Sequence, residues 1–462
     1  MTNLLSILGF LVLLSIQSFA QNSIIDKYIH QGLESNLALQ QQNFSLQQSL
    51  QALREAKGQF LPALQISSRY SRAEGGREIE FPVGSIVNPI YQSINTILQN
   101  MNQEPLPFSP LEDQTIPFLR KKEHDTKIRL VQPIFQPAIY YNYKLKSGLN
   151  ELKIAEVNVF KRQLVQDIKS AYINYLKIDQ IVKTFEETQR LVQENLRVSE
   201  KLYKAEKVTK DVVYRSEAEL SRVEQNKLEA ENRRIFAQYY FNFLLNRTLD
   251  STIEVMTGVP LRDKSALIYE VLQESAFNNR EELKLLQSAI DVAQNTKKVS
   301  QSNYFPGISA VLDYGFQGEE YRFTSEDDYW MASLVLNWNL FNGFQDMAKV
   351  EQAELEKRKI ESQYQELKNQ IDLQVRQAYD NLLLAYKKIE VSNRQLISSQ
   401  ASFNLVNKKY QQGMITVVEY IDARTNFTNA QINNIISTFD YYIRYAEMER
   451  ITATYEMPKV AE

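Results

Sequence analysis

An apolar repeat of 3.5 residues runs unbroken through Leu164, Ile168, Ala171, Tyr175, Ile178, Val182, Phe185, Gln189, Val192, Leu196, Ser199 and Tyr203. The same stripe returns 207 residues later, with no gap, as Ile371, Val375, Ala378, Leu382, Ala385, Ile389, Ser392, Leu396, Ser399, Phe403, Val406 and Tyr410. A seam of this period makes a long helix wrap against neighbouring helices. Its recurrence in one register means that the chain is a duplicated structure. The text agrees locally: Ala171-Tyr172-Ile173-Asn174-Tyr175-Leu176 stands against Ala378-Tyr379-Asp380-Asn381-Leu382-Leu383.

The order of parts around each stripe also repeats. Residues 1–20 read as a secretory signal: the apolar run Leu4–Ile16 precedes a small-x-small cleavage site at Ser18-Phe19-Ala20, and the run is short for a membrane anchor. The first repeat then covers residues 21–266 and the second 267–455, with a tail at 456–462. A helix over Ile24–Gly58 stops near Pro62, and its counterpart over Leu267–Ser302 stops before Pro306. That alignment also sets Leu283 on Leu39. Each long helix ends in a short break, at residues 204–210 and 411–414, and a further helix follows.

Between each first helix and the long helix the apolar period drops to two, as a strand with one buried face requires. Strands are expected at 63–72, 126–135, 308–316 and 329–341. In the last, Trp330, Ala332, Leu334, Leu336, Trp338 and Leu340 point one way, and Met331, Ser333, Val335, Asn337 and Asn339 the other. A tryptophan near each end of an apolar face suits a membrane strand with two interfacial girdles. The alternative is a packing strand in a soluble sheet. The first strand pair is separated by an insertion over residues 73–125 with six prolines, in which Ile90, Ile94, Ile97 and Met101 outline a short amphipathic helix. A connection of that length is either functional or disordered.

Four amphipathic strands cannot close a barrel, and open edges cannot face lipid. Two copies would supply eight strands and three copies twelve. An eight-stranded interior is filled by side chains, so polar inner faces on every strand favour three. Small residues on the helical stripes, such as Ala171, Ser199, Ala378 and Ser392, let helices lie side by side in a wall.

The residue inventory argues against catalysis. The chain has no cysteine and two histidines, and its net charge of −3 offers no basic field for nucleic acid. Thiol chemistry and most metal or histidine-based sites are thereby removed. No cofactor and no metal site is expected, and no Met or His cluster outlines a metal path.

This pattern resembles the TolC family of outer-membrane efflux and secretion channels over nearly the whole mature chain. The resemblance rests on the duplicated helix–strand–strand–helix order and on the junctions Gln132-Pro133-Ile134-Phe135 and Trp338-Asn339-Leu340-Phe341. Its most specific piece is the second tip, Tyr410-Gln411-Gln412-Gly413-Met414-Ile415-Thr416-Val417-Val418-Glu419-Tyr420-Ile421-Asp422-Ala423-Arg424. The resemblance implies an α+β membrane protein: a homotrimer with a shared twelve-stranded β-barrel, continuous with a long periplasmic α-helical barrel. The protein would be a non-enzymatic exit duct for efflux or type I secretion. Its partners would be a periplasmic adaptor and an inner-membrane transporter of the RND or ABC type. It also implies that Glu419 and Asp422 narrow the pore. Adaptor contacts would come from Glu206, Lys207, Val208 and Thr209 of the first tip and Gly413, Met414, Ile415 and Thr416 of the second. Trp330 and Trp338 would form the membrane girdle. The first tip departs from the family pattern, with Glu206 in place of glycine and Val212 in place of an acid. A soluble periplasmic coiled-coil scaffold is the alternative; it explains the heptads and the signal but not the four alternating strands.

Overall fold

The computed structural model describes residues 24–256 and 268–458. The expected signal segment and most of the link between the repeats lie outside the described residues. Two units are distinguished by their internal contacts: an α-helical one built from 24–53, 145–256, 268–295 and 351–458, and a sheet-bearing one built from 54–144 and 296–350.

Wholly or mainly in the helical unit are α1 (residues 24–35), α2 (Leu37–Gly58), α4 (Pro137–Lys204), α5 (Lys210–Leu244), α6 (Tyr269–Asn279), α7 (Glu281–Ser302), α8 (Gln345–Gln411) and α9 (Val417–Ile451). The stripe residues Ile168, Val182, Ile371, Val375 and Leu382 are almost wholly buried. Each half has its own apolar core. One joins Tyr28, Ile29, Leu33 and Leu39 to Leu164, Ile168 and Tyr172 of α4 and Phe241 of α5. The other joins Leu272, Ala276 and Leu283 to Ile371, Val375 and Leu382 of α8 and Tyr441 of α9.

Where one long helix over Ile24–Gly58 is expected, the chain breaks at Asn36, and the second half breaks likewise at Arg280. The cause is tertiary. Asn36 accepts from the Leu39 N–H at 2.9 Å and donates to the terminal carbonyl of α5, Leu244 O, also at 2.9 Å. One amide thus caps α2 and satisfies an orphan carbonyl of α5. At the matching place Ser275 donates to Thr452 O at 2.9 Å, just past α9, and Arg280 binds Glu282 and Gln374. Hence α5 runs end-on to the α1–α2 junction, and α9 to the α6–α7 junction.

The sheet-bearing unit contains β1 (Ala63–Arg72), β2 (Glu78–Phe81), α3 (Val83–Asn100), β3 (Gln114–Pro117), β4 (Lys122–Phe135), β5 (Gly307–Gly318) and β6 (Asp328–Asn337). An antiparallel sheet has the order β1-β4-β5-β6, so β1 and β6 are open edges among the described residues. β4 starts at Lys122 rather than Thr126, because β1 continues to pair with it as far as Arg72. β6 stops at Asn337, where it meets Gly307, instead of reaching Phe341. Pro306 precedes Gly307 and has no N–H to extend the ladder, so residues 338–341 have no partner strand. The insertion is folded: β2 and β3 form a small ladder, and α3 is longer than its isoleucine row implies.

Candidate pore wall and tip residues

The register divides the four-stranded sheet into two faces. One carries Leu64 and Ile66 of β1, Ile128 and Leu130 of β4, Leu312 and Tyr314 of β5, and Trp330, Leu334 and Leu336 of β6. Ile66 is 77% exposed, and Trp330 and Leu334 are each 73% exposed. So wide a bare apolar face calls for an apolar surround. The other face is charged. The Arg129 guanidinium binds Asp313 through two hydrogen bonds of 2.7 Å. Lys127 donates to Asp125 at 2.6 Å, and the Tyr329 hydroxyl donates to the same carboxylate at 2.9 Å. These pairs neutralise the charges that this face carries. Trp330 lies on this sheet opposite Tyr314. Trp338 lies one residue past β6, with its indole N–H donating to Tyr304 O at 3.2 Å, so it is not the strand residue that its alternation implies.

The two tips are built alike. At the first, Glu206 takes φ +56°, and at the second Gly413 takes φ +72°. Each closes its long helix with a six-residue return, Lys207 N–H to Leu202 O and Met414 N–H to Lys409 O, both 2.9 Å. This is a left-handed C-cap, for which glycine is the ordinary residue. Thr209 and Thr416 then start α5 and α9 with matching extended geometry. Lys207, Met414 and Thr416 are exposed, and Val208 and Ile415 half-buried.

Glu419 and Asp422 are exposed on α9, one turn apart. Glu419 also closes a capping box with Thr416: its N–H donates to Thr416 Oγ1 at 3.3 Å, and its carboxylate accepts from the Thr416 backbone N–H at 3.4 Å. The spacing Thr-x-x-Glu carries that signal in the sequence. Asp422 accepts from Asn426 at 3.2 Å. At the first tip Val212 cannot close a box. Thr209 instead donates to Asp211, whose carboxyl that bond holds below the usual range.

Sequence reasoning missed one contact between the two arms. Arg424 of α9 is 2% exposed and forms an ion pair with Glu219 of α5, which also accepts from Arg222 at 2.8 Å. Burial pulls the Arg424 guanidinium down to about 10, so it stays charged near neutral pH and the contact is a true ion pair. The available signal was a charge on the helical row Val417, Tyr420, Arg424, Thr428, all of whose members are buried.

Residues 272–454 match the family model described as outer membrane efflux protein. The outer membrane protein TolC of Escherichia coli is 20% identical across 98% of this chain and 87% of its own length. Among solved structures, the Campylobacter jejuni CmeC outer membrane channel aligns with a TM-score of 0.75 at 13% identity, over 93% of this chain and 85% of that one. The Vibrio cholerae outer membrane protein VceC aligns with a TM-score of 0.73 at 13% identity, over 93% and 96%. The second repeat thus carries the outer membrane efflux protein pattern, and the whole chain is similar to TolC. The comparisons support an efflux channel of the outer membrane. The apolar sheet face meets a requirement that a TolC-family channel must satisfy in lipid.

Proposed function

We propose that three copies of the chain share one twelve-stranded barrel, continuous with a periplasmic α-helical barrel built from the two repeats. The assembly is the passive exit duct of a tripartite efflux or type I secretion system. Substrates pass from an inner-membrane transporter of the RND or ABC type through a periplasmic adaptor to the exterior. The observation that carries this reading is the sheet itself: four strands, one bare apolar face, one charged face, and two unpaired edges. An open edge is not tolerated in a bilayer, and adding copies edge to edge removes it. A soluble scaffold would leave Ile66, Trp330 and Leu334 in water.

In this reading the tip segments Glu206–Thr209 and Gly413–Thr416 meet the adaptor. Threefold symmetry would set three copies each of Glu419 and Asp422 around the axis, where like charges favour cations and oppose close approach. Glu419→Gln with Asp422→Asn removes the charge and leaves an oxygen to accept at the cap. Single channels of this variant in planar bilayers are expected to show higher conductance and weaker cation selectivity. Unchanged conductance and selectivity would remove both residues from the pore.

A further inference from the structure

The insertion between β1 and β4 holds a helix with an apolar row that nothing in the described chain covers. Val83, Ile90, Ile94, Ile97 and Met101 are all exposed, and Val87 is half-buried. Their spacing is four, three, four, three, four, which is an a/d heptad pattern: Val87, Ile94 and Met101 at a; Val83, Ile90 and Ile97 at d, with Pro89 inside the helix at c, off the seam. The b/e flank of α3 is committed elsewhere. Asn88 donates to Leu111 O at 2.8 Å and accepts from its N–H at 2.9 Å, and Asn95 does the same with Leu106 at 3.1 and 2.8 Å. These two amides clamp the extended return segment along the helix. Tyr91 stacks on Phe108 at 4.4 Å. At Gly84 an added Cβ would lie 2.2 Å from Leu111 O, so only glycine allows the approach. The insertion is therefore a folded arm that presents its seam outward.

We propose that the a/d seam of α3 packs against α3 of the two other copies, so that the three arms of one assembly join in a parallel three-helix bundle. This rests on the threefold assembly proposed above. Three observations select this occupant. Isoleucine at both a and d favours three strands over two, and Ile94 with Ile90 and Ile97 supplies that pattern. α3 contains no Asp, Glu, Lys or Arg, so copies brought together do not repel. The same lack of charge argues against a membrane surface, because helices lying on membranes carry Lys and Arg on the polar face. The arm also continues the β1–β4 pair at its Arg72–Lys122 end, and β1 is an edge whose neighbour in the assembly is another copy. A seam of six side chains falls short of the about 800 Å² per partner of a free-standing interface. It needs the barrel to hold the copies at high effective concentration.

The chain has no cysteine, so single thiols can be placed cleanly. Ile94→Cys puts one thiol at an a position, and Gln92→Cys puts one at the outward f position. Each full-length variant is extracted in mild detergent, its subunit number is read by native mass spectrometry, and it is treated with a short three-armed maleimide. The expected result is a covalent trimer from Ile94→Cys and none from Gln92→Cys. A native trimer in which Ile94→Cys gains no covalent trimer over Gln92→Cys overturns the seam and leaves the assembly standing. In that case, protection of the Ile94→Cys thiol by outer-membrane lipid vesicles would assign the face to lipid. Absence of any trimer would overturn the assembly, and the seam with it.

Discussion

The two tips reach one backbone by different chemistry. The second uses what local rules favour: Gly413 at positive φ, then Thr416 and Glu419 in a capping box. The first holds Glu206 at φ +56° and starts α5 at Thr209 without a side-chain bond to the backbone. The arms differ in the same sense. α4 and α5 are tied by buried hydroxyls and an amide, with Ser199 and Ser216 at 3.1 Å and Ser216 donating to Asn195 at 3.2 Å. α8 and α9 are tied by rings, with Phe403 stacked on Phe427 at 5.5 Å and Tyr410 on Tyr420 at 4.7 Å. The second arm is thus the more locally determined. The first depends more on its surroundings, and Glu219 of α5 is where Arg424 ties the two together.

Breaking that tie has the largest expected effect. Arg424→Ala leaves the Glu219 carboxylate buried with only the half-exposed Arg222 as cation, and loss of one partner of a buried pair costs about 3–5 kcal/mol. Amide hydrogen exchange near the tips reports this as lower protection in α5 and α9 together. Protection lost from α9 alone would mean that the pair does not couple the arms. Phe403→Ala comes next, at about 3 kcal/mol for a truncated buried ring, and exchange is expected to quicken in α8 and α9. Ser216→Ala, at about 1 kcal/mol for a hydroxyl network member, acts on α4 and α5. Equal effects from the two would erase the contrast between rings and hydroxyls.

The contrast also has a pH signature. Burial, with Tyr410 beside it, pushes the Tyr420 phenol up to about 12. Between the ordinary tyrosine value near 10 and that point, the unfolded chain has released the proton and the folded one has kept it. Stability therefore falls as pH rises through this window, and it is fully present below it. A shift of that size is on the order of 2–3 kcal/mol. Val213 stands at the matching first-tip position and titrates nothing. Helix content followed by circular dichroism is expected to fall earlier in the alkaline range for the native chain than for Tyr420→Phe. Coincident curves would mean that Tyr420 is not the group at work. The smallest effects lie at the caps: Thr416→Ala costs about 1 kcal/mol and Thr209→Ala less, because it has no backbone N–H to lose. Glu206→Gly relieves a left-handed residue and is expected to stabilise the first tip by some tenths of a kcal/mol, the steric gain of about 1–2 kcal/mol being largely offset by glycine's backbone entropy. Higher protection after Thr416→Ala, or lower protection after Glu206→Gly, would contradict this account of the caps.

The long helices were legible because their seam residues, from Ile168 to Leu382, are the ones that the fold buries. The strands were legible because alternation and face coincide, as at Ile128 and Arg129. What was not legible depends on contacts distant in sequence. The breaks at Asn36 and Arg280 lie within helical patterns and exist because the ends of α5 and α9 arrive there. The early end of β6 depends on a proline in another strand's approach. Positive φ at Glu206 has no local signal, and it emerges only when the first tip is superposed on the register of Gly413. The ion pair at Arg424 needs two helices to be seen at once. The Thr416–Glu419 box, by contrast, is present in the sequence as Thr-x-x-Glu, and it makes Glu419 a cap whatever its charge does.

The central claim is that three chains complete one barrel. It is tested most directly by extracting the native protein from washed outer membranes in mild detergent and counting subunits by native mass spectrometry. The account predicts a detergent-requiring assembly of three chains, since only added copies close the edges at β1 and β6. A monomer or dimer soluble without detergent would contradict it, because the face bearing Ile66, Trp330 and Leu334 would then have to be covered by something other than lipid.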